Sequence, residues 1–452
     1  MYVTEILAGY AARFAQTPPP EAILHHAKRA VVDWYASAFP GLCLAPIPML
    51  EPVLADGLDR GRAELLGGRS ATPRAAAMIN GAAAHAAEVD DSFRDAMYHP
   101  GAATIAAALA AAQEVGASGQ RFLQGVIVGY ETSTRIGVAL GRSHYRYWHN
   151  SGTVGTLGAV MAAGAILGLD EAGYVNALAT AATFAAGLQQ AFRMDSMSKP
   201  LHTGRAAEAG LLAAQLARQG VTGSRDVFEG ESGLGRAMSE AADWTQIGAS
   251  LGREFNIARL TVKNHVGCGH TFAAVDGALA LRQAHRITAD DIASVQVQTY
   301  RPALEIACHD DPKTANEARF SLKYVVASAL THGSLRLLAY TPQRLEDAAT
   351  RALMKRICVA VDPELDAAFP GARAARIMIV MRDGTRHTHL QPHRRGDPEM
   401  PLGDGELNDK FVELASPVIG ESHAHGLLAE LWRLDTRHDV YGLLRRARDG
   451  AA

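Results

Sequence analysis

The chain has 452 residues, of which 48% are hydrophobic and 20% charged, a balance typical of a globular protein and not of a disordered one. Its formal net charge of −3 lacks the basic excess usual in nucleic-acid-binding proteins, so we expect no nucleic-acid partner. A chain of this length is longer than one ordinary hydrophobic core can accommodate, so we predict two or three domains.

Roughly the first 260 residues repeat a hydrophobic pattern of helical period, with glycine-containing breaks between the repeats and no strong strand alternation. The predicted helices cover residues 21–38, 74–89, 102–115, 119–140, 153–167, 171–189 and 206–218. Residues 152–169 carry no charged side chain, and this uncharged stretch is long enough for a membrane span. This stretch is rich in glycine and alanine, which favour close helix packing, so we expect a buried core helix and no membrane association.

The pattern changes after about residue 286. Strands are predicted at 295–300, 357–361, 376–381 and 385–390, with a helix at 320–330. Asp383-Gly384 between the last two strands favours a type I′ hairpin turn, in which both central residues have positive φ. Residues 408–414 and 422–434 return to helix.

The expected fold class is therefore mainly α. A large all-helical domain is predicted from both chain ends (1–260 and 392–452), with a smaller α+β domain (261–391) inserted into it.

An acidic cluster begins at the end of the second predicted helix. Glu88, Asp90 and Ser92 precede His99, and carboxylates near a histidine can bind a substrate or adjust the histidine pKa. The alternative is that these residues only end one helix and cap the next.

His149 lies directly before the small-residue helix, whose N-terminal N–H groups favour a carboxylate ligand. Tyr145 is close in sequence and is a candidate proton donor. The alternative is a capping or surface histidine.

Lys199 and His202 come just before another alanine-rich helix. A lysine that is partly desolvated or near other cations can act as a general base. The alternative is a solvated lysine in a loop.

His265 and Cys268 fall where the helical half meets the mixed half, and pockets often form at domain junctions. Cys268 and His270, with Cys308 further on, match no strong zinc template, so we expect no metal. Cys268 as a nucleophile stays an alternative. The chain contains neither a dinucleotide fingerprint nor a phosphate-binding loop, and we expect no cofactor.

The four cysteines are widely scattered, which is typical of reduced thiols in a cytosol, and the first residues resemble no secretory signal. A cytoplasmic location is expected.

Taken in this order, the motifs resemble the MmgE/PrpD family, which includes 2-methylcitrate dehydratase, cis-aconitate decarboxylase and iminodisuccinate epimerase. The segment from Lys199 to Ala207 (Lys-Pro-Leu-His-Thr-Gly-Arg-Ala-Ala) is the most specific match. The acidic cluster with His99 and the segment from Trp148 to Thr153 match as well, and Lys410-Phe411 adds support. The resemblance covers nearly the whole chain.

The resemblance implies a helical domain with an α+β lid, a homodimer, no metal, and a small carboxylic-acid substrate. It places the active site at Glu88, Ser92, His99, His149, Lys199 and Tyr324, to which we add Asp90, His202 and Cys268 as substrate-binding candidates. The sequence departs from the decarboxylase pattern at Glu88, where that pattern has aspartate, and at Cys268, where it has histidine. His265 is expected to supply the missing imidazole.

The expected chemistry is proton abstraction next to a carboxylate. Lys199 is the predicted base, His149 and His99 orient the substrate, and His265 or Tyr145 faces the opposite side of the carbon. Two such groups predict epimerisation of an iminodisuccinate-like dicarboxylate. The alternatives are dehydration of a 2-methylcitrate-like acid and a non-catalytic polyacid-binding protein.

Overall fold

The computed structural model of the protein describes residues 1–192, 196–369 and 371–443. They form two compact units, Met1–Thr261 together with Gly403–Ala452, and Val262–Leu402. The second unit extends past the boundary expected at residue 391. Backbone pairing explains the difference, because the Val262 N–H donates to the Gly396 carbonyl at 2.9 Å. The Arg395 N–H also donates to an Asp276 carboxylate oxygen at 2.7 Å.

The N-terminal part of the first unit is built from successive helices that bury their apolar faces against one another. In chain order they are α1 (Val3–Phe14), α2 (Glu21–Leu42), α3 (Ile47–Val53), α4 (Pro73–Ala86), α5 (Pro100–Val115), α6 (Gly119–Tyr145), α7 (Asn150–Leu167), α8 (Glu171–Phe184), α9 (Ser198–Arg218) and α10 (Leu234–Met238).

A short antiparallel pair, β1 (Leu58–Glu64) and β2 (Ser70–Ala71), lies between α3 and α4. The sequence pattern predicted only helices in this half, and this prediction was wrong here. The centre of β1 is exposed and charged, and only its two ends are buried, so the alternation that marks a half-buried strand is missing.

Helix α7 is the centre of the first unit. Every residue of α7 is buried, and α5, α6 and α9 pack around it. Its small residues permit this packing: a Cβ added at Gly158 would lie 2.5 Å from the Thr104 hydroxyl. By length and composition α7 is long and apolar enough to cross a membrane, but its complete burial is that of a core helix.

The second unit combines short helices with a four-stranded sheet. The helices are α11 (Phe272–His285), α12 (Arg301–Ile306), α13 (Ala315–Arg319), α14 (Leu322–His332), α15 (Pro342–Leu345), α16 (Ala348–Met354) and α17 (Pro363–Ala368). The strands are β3 (Ile292–Thr299), β4 (Ile357–Val361), β5 (Ala375–Met381) and β6 (Arg386–Gln391), in the order β4-β3-β5-β6. Strand β3 runs parallel to β4 and antiparallel to β5, and α11 packs on β5 and β6.

The β5–β6 hairpin forms as expected, but its turn is not type I′. Of the two residues Asp383 and Gly384, only Gly384 has a positive φ, of 88°. The Gly384 N–H donates to the Met381 carbonyl, and the Met381 N–H donates to the Thr385 carbonyl. This is the three-residue loop with a glycine bulge. The Asp383 carboxylate accepts the Thr385 N–H at 2.9 Å, which favours this loop over the two-residue turn.

After the second unit the chain returns to the first as α18 (Asp404–Ile419) and α19 (Glu421–Trp432). Helix α18 packs on α2 and α19. The expected fold class, a mainly helical protein with a smaller α+β part, is confirmed.

Candidate active site

Four helix ends of the first unit each contribute a chemically active side chain. His99 is the N-cap of α5 and His149 the N-cap of α7, while Lys199 lies in the first turn of α9 and His85 in the last turn of α4. Helix N-termini present unpaired N–H groups and a partial positive charge, which favour anions.

Lys199 and His202 do not precede α9, as the sequence suggested, but lie within it. The helix begins at Ser198, so Pro200 falls in its first turn. Proline is tolerated there because the N–H groups of a first turn have no partner within the helix. The helix therefore holds the Lys199 side chain in a fixed direction.

Asp90 connects two of the histidines. An Asp90 carboxylate oxygen lies 2.7 Å from His85 Nδ1 and 3.4 Å from His99 Nδ1. His99 Nδ1 also lies 2.7 Å from the Asp91 carbonyl oxygen, which can only accept. Both rings therefore carry their proton on Nδ1. The side chains of His85 and Asp90 are buried, whereas that of His99 is 22% exposed.

A second histidine pair lies beside the first. His149 Nδ1 and His202 Nδ1 are 3.1 Å apart, and the His149 ring lies 5.4 Å from the His85 ring. In a neutral pair of this kind one Nδ1 donates to the other. The donor ring then has a lone pair on Nε2 and the acceptor ring has an N–H there, so the pair offers one acceptor and one donor.

Burial keeps three of these histidines neutral. It lowers the pKa of His85, His149 and His202, and the positive charge of Lys199 lowers each pKa further. The effect is largest for His149, whose pKa lies well below its usual value. At neutral pH these rings therefore bind and orient a substrate through hydrogen bonds and do not act as cations.

Lys199 forms an ion pair with the Glu88 carboxylate. Both side chains are partly exposed, so a ligand can reach them. Glu88 has a φ of 60°, a left-handed conformation that is uncommon for residues other than glycine. An ammonium ion has no lone pair, so in this paired state Lys199 can donate a proton or bind a carboxylate. It can accept a proton only after losing its own.

Asp91 plays a different part from its neighbour Asp90. Its carboxylate accepts the Gly101 N–H at 3.0 Å and the Tyr130 hydroxyl at 2.8 Å. Burial raises the pKa of Asp91 to about 8, and the charges of Asp33 and Asp90 add to this effect. Asp91 thus fixes the start of α5, which carries His99.

The raised pKa of Asp91 leads to a stability prediction. Between pH 4 and 8 the folded protein holds a proton on Asp91 that the unfolded chain has lost, so stability falls as pH rises through this window. Asp91→Asn should reduce this fall by up to ~1.4 kcal/mol per pH unit. Urea unfolding at pH 5, 6, 7 and 8 measures the slope. Equal slopes for the variant and the wild type would contradict the assignment.

The ligand-capable atoms of His85, Asp90 and His99 lie within 4.8 Å of one another, so a metal site has to be considered. The geometry is that of a hydrogen-bond network. His85 Nδ1 and the Asp90 oxygen are 2.7 Å apart, whereas two ligands of one tetrahedral zinc ion are separated by about 3.3 Å, given Zn–N and Zn–O lengths of about 2.0 Å. In addition, the Asp91 carbonyl already accepts the His99 Nδ1 proton.

Two predicted residues of the first unit lie apart from this cluster's hydrogen bonds. Tyr145 is at the end of α6, 39% exposed, and within the described part of the chain no hydrogen bond or ring contact joins it to the histidines. The backbone of Ser92 pairs with Thr261, through hydrogen bonds of 2.9 and 2.8 Å. This pairing fixes one end of the segment that carries Glu88, Asp90 and Asp91.

The remaining predicted residues belong to the second unit. Buried His265 contacts an Asp276 carboxylate oxygen through Nε2 at 2.7 Å, which forms a second histidine–aspartate pair. Buried Cys268 lies beside Gly267, whose φ is 120° and where an added Cβ would come within 2.9 Å of the Tyr340 hydroxyl. The backbone beside Cys268 is therefore tightly packed.

Tyr324 is fully buried in the second unit and its hydroxyl donates to the Ala339 carbonyl. Burial raises the pKa of Tyr324 to about 12. The hydroxyl is thus part of the core of this unit, and the described contacts give it a structural role.

Two residues of this cluster, His85 and Asp91, were not among the site residues predicted from the sequence. His85 precedes Glu88 by three residues, a spacing that places two side chains on one face where a helix continues. That spacing was a usable signal. The sequence could not show that His85 pairs with Asp90 or that burial makes it neutral, because both depend on the packing of α4, α5 and α7.

Comparisons with known proteins match most of the chain. Residues 5–247 match the MmgE/PrpD N-terminal domain and residues 265–435 the MmgE/PrpD C-terminal domain. The chain is 27% identical to the cis-aconitate decarboxylase-like protein oryM of Aspergillus oryzae, over 98% of this chain and 96% of the relative. It is 26% identical to the cis-aconitate decarboxylase of Mus musculus (82% and 78%) and to that of Aspergillus terreus (98% and 95%). The chain therefore belongs to the MmgE/PrpD family.

Proposed function

We propose that this protein is a lyase that acts on a small di- or tricarboxylate and protonates the carbon next to a carboxylate group. The observation that carries the proposal is the cluster of Lys199, His99 and His149 at three helix N-termini, with His85 and His202 beside them. Such a site binds carboxylates through N–H groups and a positive end charge, and it holds a proton donor beside them.

Decarboxylation of an unsaturated tricarboxylate such as cis-aconitate is the reaction that we favour, because the similar proteins are named for it. The bond between the departing carboxylate and its methylene carbon breaks, and its electron pair forms a new double bond. The pair of the old double bond moves to the carbon beside another carboxylate. A proton added at this carbon completes the reaction, and carbon dioxide leaves.

In this reaction Lys199 serves as the proton donor, which suits its ammonium form and changes the role expected from the sequence. The Nε2–H of the His149–His202 pair donates to a substrate carboxylate and orients it, while the Nε2 lone pair of the other ring can accept only from a protonated group. His99 reaches the substrate from the N-terminus of α5, and His85 and Asp90 fix its orientation from behind.

Dehydration of a hydroxy acid is the second candidate. By the resemblance, Cys268 stands about where the decarboxylase pattern has histidine, and this departure argues for a related lyase reaction in which a C–O bond breaks in place of a C–C bond. Epimerisation, which the sequence analysis preferred, receives no support from the similar proteins. Tyr145, one of the two residues expected to oppose Lys199, also has no described contact with the cluster.

The test is product analysis by NMR in D2O with cis-aconitate, citrate, 2-methylcitrate and a panel of chiral diacids. The expected result is consumption of cis-aconitate, with equal release of carbon dioxide and one deuterium at the carbon next to a carboxylate. If an alkene forms from a hydroxy acid instead, the reaction of this protein is dehydration and not decarboxylation. Exchange with inversion alone, or binding without turnover, would overturn the lyase proposal.

A further inference from the structure

A fully buried lysine lies behind the candidate site. Lys410 is on α18, and its side chain is 0% exposed. Its ammonium group donates to an Asp33 carboxylate oxygen on α2 and, at 2.9 Å, to the carbonyl oxygen of Val89. A buried charge is unfavourable unless it is paired and hydrogen-bonded, so these two contacts define where the ammonium can lie.

Val89 is the residue between Glu88 and Asp90. Glu88 pairs with Lys199, and Asp90 contacts His85 and His99, so both side chains depend on the position of this one backbone segment. The left-handed φ of Glu88 is a conformation that persists only when the surroundings hold it. The hydrogen bond to the Val89 carbonyl acts on the peptide unit that joins Val89 to Asp90, one residue after Glu88.

We propose that Lys410 is a positioning residue: paired with Asp33, it fixes the Val89 carbonyl and thereby places Glu88 against Lys199 and Asp90 against His85 and His99. The inference rests on the proposed function of this site. The competing explanation is that the pair only attaches α18 to α2.

A matched pair of contacts separates these explanations. Lys28 on α2 forms an ion pair of 3.1 Å with Asp435, so it also joins α2 to the C-terminal segment, without a described contact to residues 88–91. The test variant is Asp33→Asn with Lys410→Met, which removes both buried charges together. The control is Lys28→Met with Asp435→Asn.

Each variant is compared with the wild type for thermal unfolding and for kcat and KM with cis-aconitate. In the test variant we expect kcat to fall about a hundredfold, because small misplacements of reacting groups have effects of that size. KM should change less than about threefold, since Lys199 and the helix N-termini remain. The control should keep its kcat. An unchanged kcat in the test variant, or equal losses in both, would overturn the proposal.

Histidine NMR provides a readout that does not depend on turnover. With ¹⁵N-labelled histidine, the signals of His85 and His99 are assigned through His85→Gln and His99→Gln. They should show Nδ1 protonation in the wild type and shift in the test variant but not in the control. If the wild type turns over no substrate, the proposed function fails, while these signals still decide the role of Lys410. Unshifted signals would overturn it.

A variant that does not fold is replaced by a milder one. Asp33→Asn alone keeps the hydrogen bond from Lys410 to the Val89 carbonyl but removes the charge that pairs with Lys410. The control for this single variant is Asp435→Asn. We then expect kcat to fall about tenfold in Asp33→Asn only. Equal kcat values in the two single variants would overturn the proposal.

Discussion

Replacing Lys199 with methionine is expected to lower kcat by about a thousandfold or more, equivalent to ~4 kcal/mol of transition-state stabilisation, while the protein stays folded. Methionine keeps the length and the helix propensity of the side chain in α9. It removes the ammonium that pairs with Glu88 and that would protonate the substrate. Steady-state kinetics together with far-UV circular dichroism measure the two parts of this prediction.

Lys323 provides the matched control. It is also a partly buried lysine, 24% exposed against 22% for Lys199, and it forms an ion pair with Asp310 at 2.8 Å. Lys323→Met should therefore lose a comparable ion pair without loss of turnover. If Lys199→Met keeps its full rate, Lys199 is not the proton donor, and His99, the most accessible ring of the Asp90 network, becomes the next candidate.

Asp90→Asn should have the second-largest effect. Burial opposes the charge of Asp90, but the interactions with His85 and His99 outweigh it and hold the Asp90 pKa well below its usual value. An amide cannot supply a charged acceptor, so the Nδ1 tautomer of His85 is no longer fixed, whereas His99 keeps the Asp91 carbonyl as its acceptor. We expect kcat to fall about a hundredfold and stability to fall by about 1–3 kcal/mol.

Asp91→Asn separates this effect from the simple loss of a buried acid. Asp91 is the next residue and equally buried, but its carboxylate accepts from Gly101 and Tyr130 and contacts no ring nitrogen. The His85 tautomer should change in Asp90→Asn and persist in Asp91→Asn, as read from ¹⁵N-histidine NMR. An unchanged His85 tautomer in Asp90→Asn would show that packing alone orients His85.

Helix period and composition were enough to predict most of the fold. The apolar spacing predicted the segments that become α2, α5 and α7. A helix at the edge of a core buries one apolar face and a helix at its centre buries every face, and both leave a visible pattern of apolar residues. After residue 286 the helical spacing gives way to apolar–polar alternation. This change indicated the α+β part, because a half-buried strand alternates its side chains between core and solvent. The pair β1 and β2 was missed because its exposed centre gives no alternation, and the hairpin turn was wrong because Asp-Gly suits more than one loop.

At the candidate site, the sequence determined which groups are available and that His99 and His149 precede helices, since both are local properties. Tertiary packing alone decided their partners and charges. Glu88 and Lys199 are 111 residues apart in sequence, and Asp33 and Lys410 are 377 apart. Burial keeps His85, His149 and His202 neutral, and the fold pairs Lys199 with Glu88. Protonation depends on neighbours and solvent exposure, which helix period does not encode.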